Sequence, residues 1–211
     1  MQIYTPNRKI QVSILEIRYN SQNSIKGRNI RLYYESDEKK HTNIVIPTDV
    51  QINLVLLPKI DWYNQQKGSA LEESESNLNY LTQVLRKYYS KNQYPTDEKH
   101  LEQSDFMKKR DILSTYLIKK DTFFHCIEDL SSKSVRSEYT SAFHHYISQR
   151  NILAHGILVY STTKDIFYIE HKDPTTKQTA YAILNENAFS EFNCAGNNIR
   201  DVLIKMDSLL K

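Results

Sequence analysis

Apolar and polar residues alternate over the first part of the chain, a pattern typical of β-strands. Two successive sets of apolar residues are out of phase, as expected if a β-bulge switches the two faces: Ile10, Val12 and Ile14, then Leu15, Ile17 and Tyr19. Further alternation at 30–34 and a short apolar run at 44–46 predict two more strands, separated by polar turn sequences. We therefore expect residues 1–47 to form an N-terminal antiparallel β-meander.

From Thr48 onward the apolar period changes to about 3.6 residues, which predicts helices. Thr48 can cap a helix that runs to about residue 66, with Pro58 at the start of its second half. Ser69 and Glu72 have the spacing of a capping box, so a second helix is expected to begin there.

Three further segments complete the pattern of elements. A helical stretch opens at Pro95 and breaks near 119–122, and a later helix from Val135 ends at Gly156. Residues 157–184 return to β patterning and predict a hairpin or meander. A last helix carries apolar residues at steps of four and three, a seam for the bundle core or a second subunit: Ala188, Phe192, Ala195, Ile199, Val202, Met206 and Leu209.

These elements predict an α+β fold that is mainly α. We expect a helical bundle, a small N-terminal antiparallel β-meander, and a β-hairpin or meander inserted before the C-terminal helix. The chain then divides into a β appendage at 1–47 and a helical domain at 48–211, with the β insert at about 157–184.

Composition narrows the functional classes only a little. The formal net charge of +3 permits a nucleic-acid partner but lacks the clustered basic residues of a dedicated DNA-binding protein. The N-terminus has no signal-peptide pattern, and no apolar run approaches the ~18 residues that span a bilayer. We therefore expect a cytoplasmic protein without a membrane partner. His, Cys, Asp and Glu show no metal-ligand spacing, so we expect no metal and no cofactor.

The segment 148–156 carries the chemistry. On a helix, Arg150 falls in the middle of an apolar stripe, where an unpaired charge is costly. The other stripe members are Tyr139, Phe143, Tyr146, Ile147, Leu153 and Ala154. A polar stripe lies beside it and contains His144, Ser148, Asn151 and His155. Asn151 precedes His155 by one turn, close enough to orient its imidazole, a group suited to proton transfer at neutral pH.

Two ordinary explanations of these residues stay open. A lone arginine on an apolar stripe can extend to its edge or pair with a carboxylate such as Glu128 or Asp129. A histidine at a helix end can act as a simple cap. The joint spacing of Arg150, Asn151 and His155 is what favours a functional site.

Arg150-Asn151-x-x-x-His155 followed by Gly156, at the end of a long helix, resembles the signature of the HEPN superfamily. The resemblance covers a helical bundle at about 48–155, completed by the helix at 186–210. It implies cleavage of RNA without a metal, through attack of a ribose 2′-OH on the adjacent phosphate. Arg150, Asn151 and His155 would be the catalytic residues. We expect His144, Tyr146 and Ser148 to line the cleft and bind substrate.

The reaction needs an acid and a base, and one chain supplies one motif histidine. We therefore expect a homodimer that brings two motif helices together. The function could be that of a toxin or phage-defence effector controlled by an antitoxin protein. The alternative is a HEPN-like binding or regulatory module that does not cleave RNA.

Overall fold

The computed structural model describes residues 3–4, 10–16, 29–34, 57–91, 98–161, 166–173 and 176–210. Within these ranges the fold is α+β and mainly helical, as the sequence predicts. The chain divides into two compact units. We call Met1–Lys67 with Ile152–Ser190 the sheet unit, and Gly68–Asn151 with Glu191–Lys211 the helical unit.

The sheet unit contains the described strands: β1 (Ile3–Tyr4), β2 (Ile10–Glu16), β3 (Asn29–Tyr34), β4 (Ile157–Ser161), β5 (Ile166–Lys172) and β6 (Thr179–Leu184). They form one six-stranded sheet in the order β1-β6-β5-β4-β3-β2. Neighbouring strands are antiparallel except β3 and β4, which pair in parallel with Leu32 opposite Tyr160. The meander β4-β5-β6 confirms the β insert predicted at 157–184.

The N-terminal strands belong to this sheet and are not a separate appendage. β2 and β3 pair antiparallel, as expected for neighbouring strands of the meander, with a bulge between Gln11 and Ser13, but β3 also pairs with β4. The two compact units divide the chain after 67, 151 and 190, and the boundary predicted at residue 47 lies outside the described residues. Pairing of a strand edge with a strand distant in sequence leaves no local pattern, because the backbone groups of the edge are the same in any sequence. The run at 44–46 lies outside the described residues.

One long helix, α1 (Leu57–Lys91), occupies the region where the sequence predicts two helices. Pro58 lies in its first turn, where the missing N–H removes no intrahelical hydrogen bond. Gly68 lies inside the helix, so Ser69 is a helix residue and not a cap. A Cβ at Gly68 would have nothing within 4 Å. An exposed glycine costs a helix only about 1 kcal/mol, which burial on both sides offsets. The predicted start at Thr48 lies outside the described residues.

Short helices follow α1 in the helical unit. They are α2 (Glu98–Gln103), α3 (Phe106–Ile112), a π-helix (Leu113–Lys120) and two 3-10 helices (Phe123–Cys126 and Glu128–Leu130). Asp105 caps α3 by accepting a hydrogen bond from the backbone N–H of Lys108 at 2.8 Å. The π-helix ends where the N–H of Asp121 reaches the carbonyl of Tyr116, which confirms the break predicted at 119–122.

Two long helices complete the chain, α4 (Lys133–His155) and α5 (Glu186–Leu209). α4 ends directly before Gly156, as predicted. Five of the seven seam residues of α5 are buried, Ala195 is half-buried and Leu209 is exposed, so the seam is used for core packing. Among the described helices, none combines the length and apolar character that crossing a bilayer requires.

Candidate functional site

Helix α4 carries the three residues of the expected catalytic motif near its C-terminal end. Arg150 lies on a face whose apolar members Phe143, Ile147 and Leu153 are fully buried, as the periodicity predicts. The Arg150 side chain keeps 22% of its surface exposed, so the guanidinium reaches the edge of that face. Asn151 beside it is exposed.

The guanidinium of Arg150 has a carboxylate partner within the same chain. Its Nη2 lies 2.5 Å from Oε1 of Glu75 on α1, and the Glu75 side chain is 52% exposed. The candidate partners Glu128 and Asp129 do not fill this role, and Asp129 instead accepts from Lys205 at 2.6 Å. The ion pair supplies a structural reason for an arginine on an apolar stripe, one that the sequence could not show.

The remaining nitrogens of Arg150 make weaker contacts or none. Nη1 donates to Oδ1 of Asn151 at 3.4 Å, which turns this amide toward the guanidinium. Nε is buried and has no hydrogen-bond partner among the described residues. A guanidinium offers five N–H donors, so Arg150 retains donors for a ligand such as a phosphate oxygen.

His155 is exposed and is the last residue of α4. The next residue, Gly156, lies against β5 so closely that a Cβ there would collide with the γ-methyl of Ile169. The same Cβ would lie 2.7 Å from the carbonyl oxygen of Ile152. Glycine therefore fixes where the helix stops and where the imidazole of His155 is presented. The orientation of this ring by Asn151 stays a prediction.

The three expected substrate-binding residues have different environments. His144 is exposed, and Ser148 is half-buried and donates its hydroxyl back to the carbonyl of His144 at 2.9 Å. Tyr146 is fully buried and stacks on Phe192 with ring centroids 4.6 Å apart. The expectation that Tyr146 binds substrate is therefore wrong, because a ring packed in the core of the helical unit is closed to a ligand.

A buried polar network surrounds the hydroxyl of Tyr146, and no sequence pattern predicted it. The amide nitrogen of Asn77 donates to this hydroxyl at 3.2 Å and to the carbonyl of Gly196 at 3.1 Å. Nε of Arg200 donates to Oδ1 of Asn77 at 2.9 Å. The sequence gives one indication of this network, an asparagine between the regularly spaced leucines of α1. Its hydrogen-bond partners could not be identified because they are distant in sequence.

Neighbouring side chains act in opposite directions on the pKa of Tyr146. Burial raises the pKa of Tyr146 to about 12, and the negative charge of Glu73 acts in the same direction. The Asn77 hydrogen bond and the charges of Arg200 and Arg150 oppose that shift in pKa. Arg150 is therefore close enough to act electrostatically on the core hydroxyl while its guanidinium pairs with Glu75 at the edge.

The part of the chain that the structure describes contains no candidate metal site. No group of three or more His, Cys, Asp or Glu side chains there is arranged to hold a metal ion. What the described residues offer instead is a partly exposed guanidinium beside an exposed amide, and an exposed imidazole on the same helix.

Comparisons with protein-family models, with curated proteins and with solved structures gave no match to this chain.

Proposed function

We propose that this protein is a metal-independent endoribonuclease of the HEPN type, with Arg150, Asn151 and His155 as its catalytic residues. The observation that carries the proposal is their placement at the end of one helix, with Asn151 and His155 exposed and Arg150 partly exposed.

The chemistry follows from the three side chains. A ribose 2′-OH attacks the adjacent phosphorus, the P–O5′ bond breaks, and the products carry a 2′,3′-cyclic phosphate and a 5′-OH. His155 accepts or donates the proton that this exchange moves. Arg150 donates N–H groups to the non-bridging oxygens, whose negative charge grows in the transition state. Asn151 contacts the phosphate or the imidazole.

The ion pair between Arg150 and Glu75 is compatible with this role. Exposed ion pairs contribute only about 0–1 kcal/mol, so a doubly hydrogen-bonded phosphate can compete for the guanidinium. In the free protein, the Glu75 carboxylate holds the guanidinium at the edge of the apolar face. A substrate therefore meets an arginine that is already oriented.

The expected partners follow from the same mechanism. RNA is the substrate, and a second copy of the chain supplies the second histidine that acid and base catalysis require. A toxin or phage-defence effector with this activity would be restrained in the cell by an antitoxin protein. Growth arrest on expression, relieved by His155→Ala, is the corresponding cellular result.

Cleavage of a long RNA in the presence of EDTA tests the catalytic assignment. We expect the parent protein to release fragments with 2′,3′-cyclic phosphate ends, identified by mass spectrometry. His155→Ala should lower the rate by about 100-fold or more, the usual contribution of a general acid or base. His145→Ala is the matched control, because His145 is also exposed on α4. Cleavage by His155→Ala at the parent rate would exclude the mechanism.

A second candidate is a HEPN-like binding or regulatory module without catalysis. The observation that favours it is the ion pair itself, since Glu75 neutralises Arg150 within its own chain. Glu75→Gln separates the two candidates, because glutamine keeps a hydrogen-bond acceptor but removes the competing charge. A nuclease would cleave dilute RNA at least as fast after this change. In a binding module the change would alter only stability, by less than about 1 kcal/mol.

A further inference from the structure

Two aromatic rings are exposed at the end of the π-helix in the helical unit. Tyr116 is 46% exposed and Phe123 is 40% exposed, whereas the other large apolar residues exposed in the described part of the chain are aliphatic. The rings are linked through the backbone, since Asp121 donates its N–H to the carbonyl of Tyr116 and its Oδ1 accepts from the N–H of Phe123. π-helical turns are rare and occur often at functional sites.

One lysine side chain lies over each of the two rings. Nζ of Lys120 lies 4.6 Å from the ring centroid of Tyr116, and Nζ of Lys91 lies 4.9 Å from that of Phe123. Lys119 is exposed between them in sequence. We call Lys91, Tyr116, Lys119, Lys120 and Phe123 the aromatic–lysine surface.

The nearest acidic group in the sequence is Asp121, and its carboxylate is already engaged. Its Oδ2 accepts from the hydroxyl of Tyr88 at 2.7 Å, and its Oδ1 accepts from the N–H of Phe123 at 2.9 Å. Lys91 and Lys120 lie over aromatic faces and do not pair with this carboxylate. Their positive charge therefore remains available to an anionic ligand.

We propose that the aromatic–lysine surface binds single-stranded RNA. Exposed rings offer flat faces on which unpaired bases stack, and lysines interleaved with them attract the phosphate backbone. Protein-binding surfaces instead deplete lysine at their centre, which makes a protein partner the poorer fit. The chemistry is shared by any single-stranded polynucleotide, and the choice of RNA rests on the proposed function. In this role the surface would bind substrate through side chains other than the proposed catalytic residues.

Binding of a labelled oligouridylate of about twelve nucleotides, followed by fluorescence anisotropy, tests the proposal. The full-length protein carries His155→Ala so that the probe stays intact. We expect Tyr116→Leu combined with Phe123→Leu to weaken binding by about 10-fold or more, because leucine keeps the apolar bulk but removes the stacking faces. Ile204→Ala is the control at an exposed apolar residue of α5 and should bind like the parent.

Three further measurements address the ligand. The double substitution Lys119→Gln and Lys120→Gln should lower the magnitude of the slope of the logarithm of the binding constant against the logarithm of salt concentration. The expected decrease is about 0.7 for each phosphate that is no longer neutralised. Lys108→Gln, the control, should leave this slope unchanged. A duplex RNA of the same length should bind at least about 10-fold more weakly, because its bases are already stacked. A single-stranded oligodeoxyuridylate of the same length, the deoxy probe, should bind no more tightly than the oligouridylate.

Each contrary result overturns a stated part of the proposal. Unchanged affinity of the double leucine variant, or equal affinity for the duplex, would remove the stacking surface. Tighter binding of the deoxy probe would replace RNA with single-stranded DNA. The cleavage assay separates this inference from the proposed function. If the protein cleaves RNA but the Tyr116 and Phe123 substitutions do not change its affinity, only the nuclease proposal stands. If these substitutions weaken binding but the protein does not cleave RNA, only the binding surface stands.

Discussion

Asn77 is fully buried on α1 and uses both ends of its amide. Replacement by leucine would leave the Tyr146 hydroxyl and Nε of Arg200 without their Asn77 partner, and would remove the additional hydrogen bond to the Gly196 carbonyl. Unsatisfied buried groups cost about 1–3 kcal/mol each and are not additive, so we expect Asn77→Leu to lower the free energy of unfolding by about 3 kcal/mol. Urea denaturation followed by circular dichroism measures this change.

Asn79 provides the matched control for that experiment, because it is exposed on the same helix. Asn79→Leu should change the free energy of unfolding by less than about 0.5 kcal/mol. Equal effects of the two substitutions would mean that the network around Asn77 contributes nothing to stability.

Lys109 gives a pH dependence whose sign follows from its surroundings. The side chain is 5% exposed and donates to the hydroxyl of Thr82 at 3.1 Å. Burial lowers the pKa of Lys109 below 10.5, and the charge of Arg86 lowers it further. The unfolded chain therefore binds this proton more tightly, so Lys109 destabilises the fold at neutral pH. As pH rises from the lowered pKa toward 10.5, this penalty disappears.

Lys109→Met should accordingly stabilise the protein at neutral pH, by about 1–2 kcal/mol. Thr82 still donates to the carbonyl of Leu78 at 2.8 Å, so the substitution leaves its hydroxyl satisfied. The gain should shrink when the free energy of unfolding is measured closer to the lysine pKa of the unfolded chain. The same substitution at Lys108, which is exposed, should have no such pH-dependent effect. A less stable Lys109→Met protein at neutral pH would contradict the predicted sign.

Gly156, at the junction of α4 and β4, has no room for a side chain. A Cβ at Gly156 would collide with Ile169 and lie 3.1 Å from the carbonyl oxygen of Glu170. We expect Gly156→Ala to lower the free energy of unfolding by about 2 kcal/mol through backbone displacement. Gly68→Ala should instead raise it by up to about 1 kcal/mol, since Gly68 is helical and open to solvent. Thermal unfolding of both variants gives the comparison, and a stabilising Gly156→Ala would show that the junction adapts.

Elements with a strong local signal were predictable from the sequence. The end of α4 at Gly156 and the apolar seam of α5 follow from periodicity and a glycine stop. The continuity of α1 through Gly68 was not predictable, because a capping box has the same letters inside a helix as at its start. The partner of Arg150 was equally hidden, since Glu75 is brought to it by the packing of α1 against α4.

At the scale of the whole molecule, the α+β class and its mainly helical content were predictable, whereas strand pairing was not. Each strand has a local sequence pattern, but the parallel pairing of β3 with β4 joins the two ends of a long intervening segment. Backbone hydrogen bonds make that pairing, and they are independent of the side chains that a sequence displays. For the candidate site the same limit applies: the motif on α4 was visible, and the environment of Tyr146 was not.

Assembly is where the proposed chemistry makes its most demanding prediction. If acid and base come from His155 of two chains, only dimers of two intact chains are active. Co-expressing the parent with an equal amount of His155→Ala should then leave about one quarter of the parent activity per chain, since random pairing gives that share of intact dimers. Independent sites would leave about one half. Mixtures with His145→Ala, checked for dimer content by light scattering, should keep the full rate, and a proportional loss with His155→Ala would place the whole reaction within one chain.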